Sequence, residues 1–562
     1  MKTAGIRAAT TARLAIATLG AAAVLLTSAC VAQPGPAPTV EPEPTPSTSP
    51  ASSAEPTTSA SETPTTPRDS RRSSISVGVA PLLNGFNPHL LSDNNATVES
   101  IAKLVLPSVF RDGQLDTDLM VSAQEVEPVG AGYAQTVRYV ISPTAQWSDG
   151  TPITGADFIY LWESMTRTPA VIDRAGYAAV SDVRTSDGGK TVHVSFAEPF
   201  PEWRELFTHL LPSHLAAPGG EDFATVLFDT IPASAGRFMV AKVDRARGVF
   251  TLHRNDRYWG QAPARTDVLS LIEVQSSVQG SDLLRSGQVS FLDVVPSEVA
   301  VQSYDLVPGT ETRMITGPRQ LELTLSTASP VLAEHQRRRE LLGLLAPETG
   351  TITRLAAGRS ADVLPAPPLP AVPEVENPQL LQLTAQQPLR IGADPADATA
   401  TAAARTVRDI LVNNGVTAEV VSTDLPNLAS TLLPEGEADV VVSWRHLDDT
   451  ALSAADTLLC PPRGDSFRAG NLSGYCTPET DAWLTDALTQ GWAPADVSAW
   501  VERVTDVEHL RLPLLVEQRV AVLGEGIVVP DGELSEWQKG LETAATWRSA
   551  DTSTRNEQGS IP

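Results

Sequence analysis

The sequence is poor in basic residues, and this shortage excludes two classes of partner. Its 562 residues include 41 Lys and Arg against 67 Asp and Glu, which gives a formal net charge of −26 at pH 7. Nucleic acid and anionic membrane surfaces are themselves negatively charged, so a chain this acidic is a poor partner for either. The charge is equally consistent with a role in solubility alone. We therefore expect no binding to nucleic acid.

The sequence motifs of common hydrolases and metal enzymes are also absent. The chain contains no His-Glu-x-x-His, no Cys-x-x-Cys and no Gly-x-Ser-x-Gly. Gly464–Phe467 (Gly-Asp-Ser-Phe) is similar to the nucleophile block of some secreted esterases, but no Asp-x-x-His block follows it. The eight histidines are scattered along the chain. We therefore predict a protein that is not an enzyme and that uses neither a metal nor another cofactor.

A long apolar run is found only near the N-terminus, from Leu14 to Leu26. Basic residues precede it and Thr27-Ser28-Ala29-Cys30 follows it, which is typical of a secretory signal peptide. A cysteine directly after small residues indicates a lipobox with Cys30 as the lipidated first residue; the alternative is an ordinary signal peptide in which Cys30 is incidental. No other stretch approaches the roughly 20 apolar residues that a membrane span requires. Residues 1–30 thus predict export to the outer face of the cytoplasmic membrane and anchoring there through Cys30.

The two ends of the mature chain are predicted to lack packed structure. Residues 31–73 consist largely of Pro, Ser, Thr, Ala and Glu and contain no aromatic residue. Such a segment cannot bury enough apolar surface to offset the entropy lost on ordering, so we expect a disordered linker. Residues 546–562 are predicted to form a flexible tail.

Hydrophobic patterns predict strands alternating with helices in two separate stretches of the chain. The predicted strands are 75–80, 135–141, 191–196, 313–325, 389–392, 418–421 and 439–444. The predicted helices are 98–110, 203–215, 334–345 and 401–413. This alternation favours two α/β lobes.

A strand, a tight turn and a capped helix start lie between Trp147 and Trp162. Asp149 can bond the backbone that follows it, and glycine at position 150 tolerates a positive φ. Thr154 and Asp157 are spaced as a variant of the N-cap signature. We predict that this corner belongs to the scaffold.

Two cysteines remain if Cys30 is acylated. Cys460 and Cys476 are separated by fifteen residues, and no histidine lies between them. In an exported chain this favours a disulfide, with two free thiols or a soft metal site as the alternatives.

Several segments together resemble the family 5 extracellular solute-binding proteins, which are the oligopeptide- and dipeptide-binding components of ABC importers. The resemblance extends from residue 75 to about 540. The segments that carry it occur in the family's order and are Trp147–Phe158, Ser234–Phe238, Arg254–Trp259, Leu284–Val289 and Asn471–Leu484.

The resemblance implies an α/β, two-lobed periplasmic-binding-protein-like fold of type II, with an extra subdomain in the first lobe. It places lobe 1 at residues 74–312, with the inserted subdomain at about 111–214. Lobe 2 is expected at 313–512, and residues 513–545 are expected to return to lobe 1. Ligand is then expected in the cleft between the lobes.

The sequence departs from the family pattern at a ligand-binding position, so the resemblance does not identify the ligand. In oligopeptide-binding members, an aspartate three residues after a strand-end Trp holds the amino terminus of the peptide; here that position is Leu447, and Asp448 follows it. A narrower resemblance, carried by Gly85–Asp93 and the Cys460–Cys476 loop, is to a cell-wall lipoprotein associated with phosphatidylinositol mannoside and lipoarabinomannan synthesis. We therefore expect either a peptide ligand and an ABC permease as partner, or a glycolipid-type ligand and an envelope mannosyltransferase as partner.

Candidate ligand-binding residues follow from the rule that ligands bind beyond the carboxyl ends of strands in open α/β sheets. The candidates lie in the loop after the first strand and at the end of the 439–444 strand. They are Asn84, Phe86, Asn87, His89, Trp444, Arg445, His446 and Asp448. The alternative is that Phe86 and Trp444 are core residues and that Asn87 caps a turn. A scaffold role is predicted for Trp147, Asp149, Asp157, Tyr258 and Trp259.

Overall fold

The computed structural model describes residues 72–128, 130–216, 222–360, 362–373, 378–447, 450–461, 467–528 and 539–550. Asp448, the predicted signal peptide with Cys30, and all but the end of the predicted linker 31–73 lie outside the described residues. Within the described ranges, no helix combines the length and apolar character needed to cross a membrane.

The β-strands of the described residues are short except for two. In chain order they are β1 (Ser74–Val79), β2 (Phe110–Arg111), β3 (Gln114–Leu115), β4 (Met120–Val126), β5 (Gln135–Ile141), β6 (Val180–Ser186), β7 (Thr191–Phe196), β8 (Phe238–Asp244), β9 (Val249–Arg254), β10 (Val268–Glu273), β11 (Phe291–Val294), β12 (Glu311–Leu325), β13 (Leu389–Ala393), β14 (Ala418–Ser422), β15 (Val440–His446), β16 (Arg511–Leu523), β17 (Ile527–Val528) and β18 (Arg548–Ser549).

The α-helices lie between these strands. They are α1 (Ala96–Val105), α2 (Gly155–Arg167), α3 (Arg174–Ala178), α4 (Ser213–Ala216), α5 (Ser277–Arg285), α6 (Ala300–Asp305), α7 (His335–Leu345), α8 (Thr349–Ala357), α9 (Leu380–Thr384), α10 (Ala398–Asn413), α11 (Leu425–Asn427), α12 (Ala451–Asp456), α13 (Pro478–Gln490) and α14 (Pro494–Glu508).

One large sheet extends through both lobes in the order β14-β13-β15-β12-β16-β11-β1-β10-β9-β8. The half from β11 to β8 belongs to the first lobe, and the half from β14 to β15 belongs to the second. The long strands β12 and β16 pair with each other, and their register shifts between Thr316 and Gln320. Because β12 also pairs with β15 and β16 also pairs with β11, these two strands join the halves. The predicted two-lobed α/β fold is confirmed.

A separate sheet, β4-β5-β7-β6, packs against α2 in the first lobe. The predicted corner leads into α2: Thr151 N donates to Asp149 Oδ1 at 2.9 Å, and Gly150 has a φ of 95°. Thr154 and Asp157 form a reciprocal capping box, which satisfies two backbone N–H groups that a helix start leaves unpaired. The predicted helix start at Thr154 is therefore confirmed.

The predicted helix 203–215 is wrong. Only a 3-10 turn at Trp203–Glu205 and the short α4 form there. Phe207 and His209 have positive φ values of 61° and 46°. Leu210 N donates to Pro107 O at 2.8 Å, so this backbone bonds to the segment after α1 instead of to its own preceding turn. Tertiary hydrogen bonds outweigh the helical spacing of its apolar residues.

The C-terminal boundary also differs from the prediction. Trp547, inside the predicted tail 546–562, is completely buried, and its carbonyl accepts a hydrogen bond from Thr266 Oγ1 at 2.9 Å. β18 pairs with β17. Packed structure thus continues at least to Ser549, because the Trp547 indole fills a site in the core. The described residues end at 550.

The predicted disulfide is confirmed, since Cys460 and Cys476 are bonded. The bond links the chain just after α12 to the start of α13. The helices α12 and α14 follow the second-lobe strand β15, yet their apolar residues Leu452, Ala455 and Val501 belong to the same buried cluster as the first-lobe core. These helices therefore pack against the first lobe.

A candidate ligand cavity between the lobes

A cavity of about 1010 Å³ lies between the two lobes. Most of its wall comes from α1, the segments that follow it and the loop after β9. The second lobe contributes Pro318 and His446, and the start of α12 contributes Thr450 and Leu452. Ligand pockets commonly have volumes of roughly 300–1,000 Å³, so this cavity is large enough for a sizeable ligand.

Part of the cavity lining is charged, and several of its charges are paired with one another. Lys103 Nζ lies 3.0 Å from Glu542 Oε1 and 3.7 Å from Glu99 Oε1. Arg111 Nε pairs with Asp116 Oδ2 at 2.8 Å, and Arg111 Nη1 donates to the Lys103 carbonyl at 3.1 Å. The result is one connected network of donors and acceptors.

Two aromatic side chains of the lining bond to a further charged residue, Asp118. Tyr258 Oη donates to Asp118 Oδ2 at 2.5 Å, and Trp259 Nε1 donates to the Asp118 carbonyl at 2.6 Å. Burial and the bond to Asp118 raise the pKa of Tyr258 to about 12, so the phenol stays protonated. Both rings, for which the sequence predicted a scaffold role, line the cavity. Their positions follow from Asp118, which holds both polar groups at the wall.

The other predicted scaffold residues lie outside the cavity wall. Trp147 and Asp157 are buried, and Asp157 Oδ1 accepts from Ser213 N at 3.0 Å. Asp149 Oδ2 accepts a hydrogen bond from His214 Nε2 at 2.7 Å near the surface. These contacts support the corner between β5 and α2.

Histidines from both lobes meet at the cavity. His89 Nε2 lies 3.0 Å from the His209 carbonyl, and His209 Nε2 lies 3.1 Å from Glu99 Oε1. From the second lobe, His446 Nε2 lies 3.0 Å from Asn94 Oδ1. Burial, with the charge of His209 as a smaller cause, lowers the pKa of His89 to about 4, so His89 is neutral at pH 7. Burial alone would raise the pKa of Glu99, but the charge and hydrogen bond of His209 hold it below its ordinary value.

Apolar side chains also line the cavity. Leu206 and Tyr177 of the first lobe and Leu452 of α12 line it together with Met165. A Cβ on Gly176 would lie 2.7 Å from Leu206 Cδ2 and 3.2 Å from Leu452 Cδ1, so the absence of a side chain there lets the two leucines approach. The cavity is therefore amphipathic.

A second cavity of about 50 Å³ adjoins the first, and His446 lines both. Trp444 and Arg445 also line the small cavity. Trp444 Nε1 donates to Asp397 Oδ2 at 2.8 Å. Arg445 Nε pairs with Glu322 Oε2 at 2.9 Å. The polar groups of these predicted site residues are thus already engaged inside the second lobe.

The predicted residues of the first loop separate into two groups. His89 lines the large cavity, whereas Asn84, Phe86 and Asn87 are not among the described residues that line it. Phe86 packs edge-to-face on Phe250, with ring centres 5.6 Å apart. Asn87 Oδ1 accepts from His89 N at 3.1 Å, so it caps the turn. Asn84 Nδ2 donates to the Ser92 carbonyl at 3.0 Å. The positions of Phe86 and Asn87 therefore agree with the alternative prediction, in which Phe86 is a core residue and Asn87 caps a turn.

Sequence reasoning did not find the charged network. Glu99 and Lys103 lie on α1, Asp118 lies between β3 and β4, and His209 lies in the irregular segment before α4. None follows a predicted strand end directly. One available signal was the charged pair Glu99 and Lys103, four residues apart on a helix whose other residues are largely apolar. Burying charged side chains costs free energy unless polar groups lie opposite them, so this pair indicated a polar surface facing α1.

Comparison with known proteins identifies relatives of the whole fold. The family model described as bacterial extracellular solute-binding proteins, family 5 Middle, matches residues 133–407. The chain is 33% identical over 447 residues to the probable monoacyl phosphatidylinositol tetramannoside-binding protein LpqW of Mycobacterium tuberculosis, covering 68% of this chain and 69% of LpqW. It is 32% identical over 198 residues to the oligopeptide-binding protein OppA of the same species, which covers 33% of each protein.

Solved structures share the architecture at low identity. The oligopeptide-binding protein AppA from Bacillus subtilis, solved with a nonapeptide, superposes with a TM-score of 0.63 at 13% identity, over 85% of this chain and 99% of AppA. The periplasmic EDTA-binding protein EppA superposes with a TM-score of 0.60 at 20% identity, over 85% of this chain and 96% of EppA. At such identities these structures show the fold alone. The sequence relatives and the fold together show that the chain belongs to the bacterial extracellular solute-binding proteins of family 5.

Proposed function

We propose that this protein is a non-enzymatic binding lipoprotein of the cell envelope that holds one amphiphilic glycolipid in the cavity between its lobes. The observation that carries the proposal is a cavity lining that contains both paired charges and apolar side chains. A mannosylated headgroup would lie against the charged side chains, and a single acyl chain would lie against the apolar side chains.

The charged side chains of the lining suit a ligand rich in hydroxyl groups. Lys103 and Arg111 are each paired with a carboxylate of the same wall. Such a wall offers many donors and acceptors, and sugar hydroxyls use both kinds of group. A peptide terminus would instead require a counter-charge that is free to pair with it.

The apolar side chains of the lining suit an acyl chain. They include Leu206, Leu452 and Tyr177, and burial of hydrocarbon contributes about 25 cal/mol per Å² removed from water. The similarity to LpqW, whose name describes the binding of a monoacyl phosphatidylinositol tetramannoside, extends over 68% of the chain and supports the same ligand class. An envelope mannosyltransferase is the corresponding partner, and lipidation at Cys30 would keep the protein beside it.

The second candidate is a peptide-binding component of an ABC importer. The identity to OppA over 198 residues favours it. The strand end after β15 argues against it. Leu447 occupies the position of the peptide-anchoring aspartate, and its backbone N–H donates to the Pro318 carbonyl. Trp444 and Arg445 are also engaged internally.

The test is identification of the ligand that the protein carries. Native mass spectrometry of protein purified from its own envelope in mild detergent should reveal a bound species whose mass matches a mannosylated phosphoinositide with one acyl chain. Calorimetry should then show binding of the purified monoacyl mannoside and no binding of tripeptides. Micromolar binding of a tripeptide, with none of the mannoside, would replace this proposal with the importer.

A further inference from the structure

Three tryptophans meet at the surface of the helical hairpin formed by α13 and α14. Trp483 of α13 stacks on Trp500 of α14, with ring centres 3.9 Å apart and an angle of 8° between the ring planes. Trp492, in the turn between the helices, packs edge-to-face on Trp483 with ring centres 5.2 Å apart. Trp492 is 41% exposed, and the other two side chains are partly buried. These three indoles form one connected aromatic surface that solvent reaches.

The turn between the helices fixes Trp492 in this position. Gly491 ends α13 with a φ of 65°, a left-handed conformation that glycine adopts without steric cost. The Trp492 backbone N–H then donates back to the Ala487 carbonyl at 3.0 Å. On the inner side, Trp483 and Trp500 pack against the core cluster of the first lobe. The aromatic surface is thus held in place before binding, so a partner would lose little entropy in ordering it.

The charge around the aromatic surface has one sign. Residues 469–502 contain five acidic residues and no Lys, Arg or His. Two of the five are engaged inside the protein: Asp481 accepts a hydrogen bond from Cys460 N at 3.1 Å, and Glu502 pairs with Arg445 at 3.3 Å. The other three carboxylates are exposed and form no ion pair with any residue that the structure describes.

These three carboxylates flank the stacked indoles. Glu479 lies four residues before Trp483, and Asp486 lies three residues after it. Asp496 lies four residues before Trp500. Side chains three or four residues apart on a helix are neighbours on its surface. Glu479 and Asp496 lie in the first turns of their helices, where a negative charge suits the helix dipole. Asp486 lies beyond the first turn, so helix stability does not account for all three carboxylates.

We propose that the aromatic surface and its three carboxylates form a docking site for an arginine-rich segment of a partner protein. Guanidinium groups suit both parts of the site, because they stack on indole faces and pair with carboxylates. Tryptophan and arginine are also enriched among the residues that contribute most to binding at protein–protein contacts. A neutral saccharide would use the indoles but would offer no positive charge to the carboxylates. None of these six described residues lines either cavity, so docking here is independent of the ligand.

Fluorescence anisotropy of dye-labelled octa-arginine and octa-lysine peptides, titrated with the full chain at physiological ionic strength, tests the carboxylates. Glu479→Gln/Asp486→Asn/Asp496→Asn should weaken binding of both peptides about tenfold, because each exposed ion pair contributes modestly and three are lost.

The matched control is Asp229→Asn/Asp305→Asn/Glu419→Gln. It removes the same number of exposed carboxylates, of the same types, at positions outside the hairpin. Since exposed charges farther apart than about 8 Å are largely screened at this ionic strength, both dissociation constants should change less than about twofold.

The indoles are tested by Trp492→Ala. The wild type should bind octa-arginine more tightly than octa-lysine, because a guanidinium stacks on an indole face better than an ammonium does. In Trp492→Ala the two affinities should come within about twofold of each other. Leu306→Ala removes another apolar side chain, 76% exposed, and should leave the preference for arginine unchanged.

Three results would overturn the docking site. They are the absence of octa-arginine binding to the wild type, equal weakening by the two triple variants, and a preference for arginine that persists in Trp492→Ala. Binding of mannotetraose that is lost in Trp492→Ala would assign the aromatic surface to a glycan instead.

Discussion

At the scale of single residues, buried charges tie the two lobes together. Arg319 on β12 and Glu517 on β16 form an ion pair in which both side chains are less than a tenth exposed. Arg319 Nη1 also donates to the Asn94 carbonyl of the first lobe at 2.6 Å. Arg319 further lies over the Trp444 ring, 5.0 Å from its centre. One guanidinium therefore connects both crossing strands to the loop beside the cavity.

Arg319→Ala should lower the free energy of unfolding by about 3–5 kcal/mol, because it leaves the buried Glu517 carboxylate without its partner. Arg313→Ala is the control: its pair with Glu311, 2.7 Å long, is exposed, and loss of such a pair changes stability by less than about 1 kcal/mol. Denaturant unfolding followed by tryptophan fluorescence measures both. Equal effects of the two substitutions would contradict the assigned role.

His89 should make the protein less stable in acid. Its pKa is lowered to about 4 in the folded protein, whereas an unfolded histidine titrates near 6.5. Between these values the unfolded chain binds the extra proton, so stability falls as the pH drops from about 6.5 to 4. The contribution of this residue is on the order of 3 kcal/mol.

The matched variant is His89→Gln, since a glutamine amide can still donate to the His209 carbonyl. Its free energy of unfolding should depend less steeply on pH between 4 and 6.5 than that of the wild type. Urea unfolding at several pH values measures the slope. Parallel slopes for the two proteins would refute the assignment.

At the scale of elements, the reliability of the sequence patterns depended on whether an element is stabilised locally. The unit β13-α10-β14 forms as predicted, with its strands parallel. Asp397 caps α10 by accepting from Thr399 N and Ala400 N, both at 2.9 Å. The predicted helix 203–215 fails because its backbone N–H groups bond to distant acceptors, as in the 3.0 Å bond from Phe207 N to Tyr177 Oη. An acceptor that is distant in sequence cannot be predicted from the local pattern of residues.

Thr154→Ala should destabilise the protein by about 1 kcal/mol, because it removes the side-chain half of the capping box at the start of α2. Thr144→Ala, at an exposed position where the hydroxyl contacts Ser142 Oγ at 3.0 Å, should leave stability within about 0.5 kcal/mol of the wild type. Thermal unfolding followed by circular dichroism compares the two. A Thr154→Ala protein as stable as the Thr144→Ala control would show that the cap contributes nothing.

At the scale of the whole molecule, the two-lobed arrangement creates the amphipathic cavity. Neither lobe encloses it alone, because Leu206 and Tyr177 of the first lobe and Pro318 and His446 of the second all line it. The small cavity likewise combines Ile172 of the first lobe with Arg445 of the second. The ligand preference is therefore a property of the assembled lobes.

Ile172 lines both cavities. Ile172→Asn should weaken binding of a monoacyl mannoside roughly tenfold, because it places a polar group against the proposed acyl chain. Binding of the deacylated headgroup should not change. Tyr258→Phe, beside the charged side chains of the lining, should weaken binding of both ligands, since the loss of Oη removes the 2.5 Å bond to Asp118. Calorimetry with the two ligands measures the four affinities. An equal loss of both ligands in Ile172→Asn would rule out an acyl site at this wall.

The sequence by itself determined the fold class, the strand–turn–helix corner at Trp147–Trp162, the βαβ unit and the cysteine pair. These features depend on short-range hydrogen bonds, periodic burial and ordered motifs, all of which can be read along the chain. Only the tertiary structure decided which polar residues face the cavity. Glu99, Asp118 and His209 are far apart in sequence, and packing of α1 against an irregular segment brings them to one wall. The positions of Phe86 and Asn87 were decided in the same way, because burial depends on neighbours that no local pattern specifies.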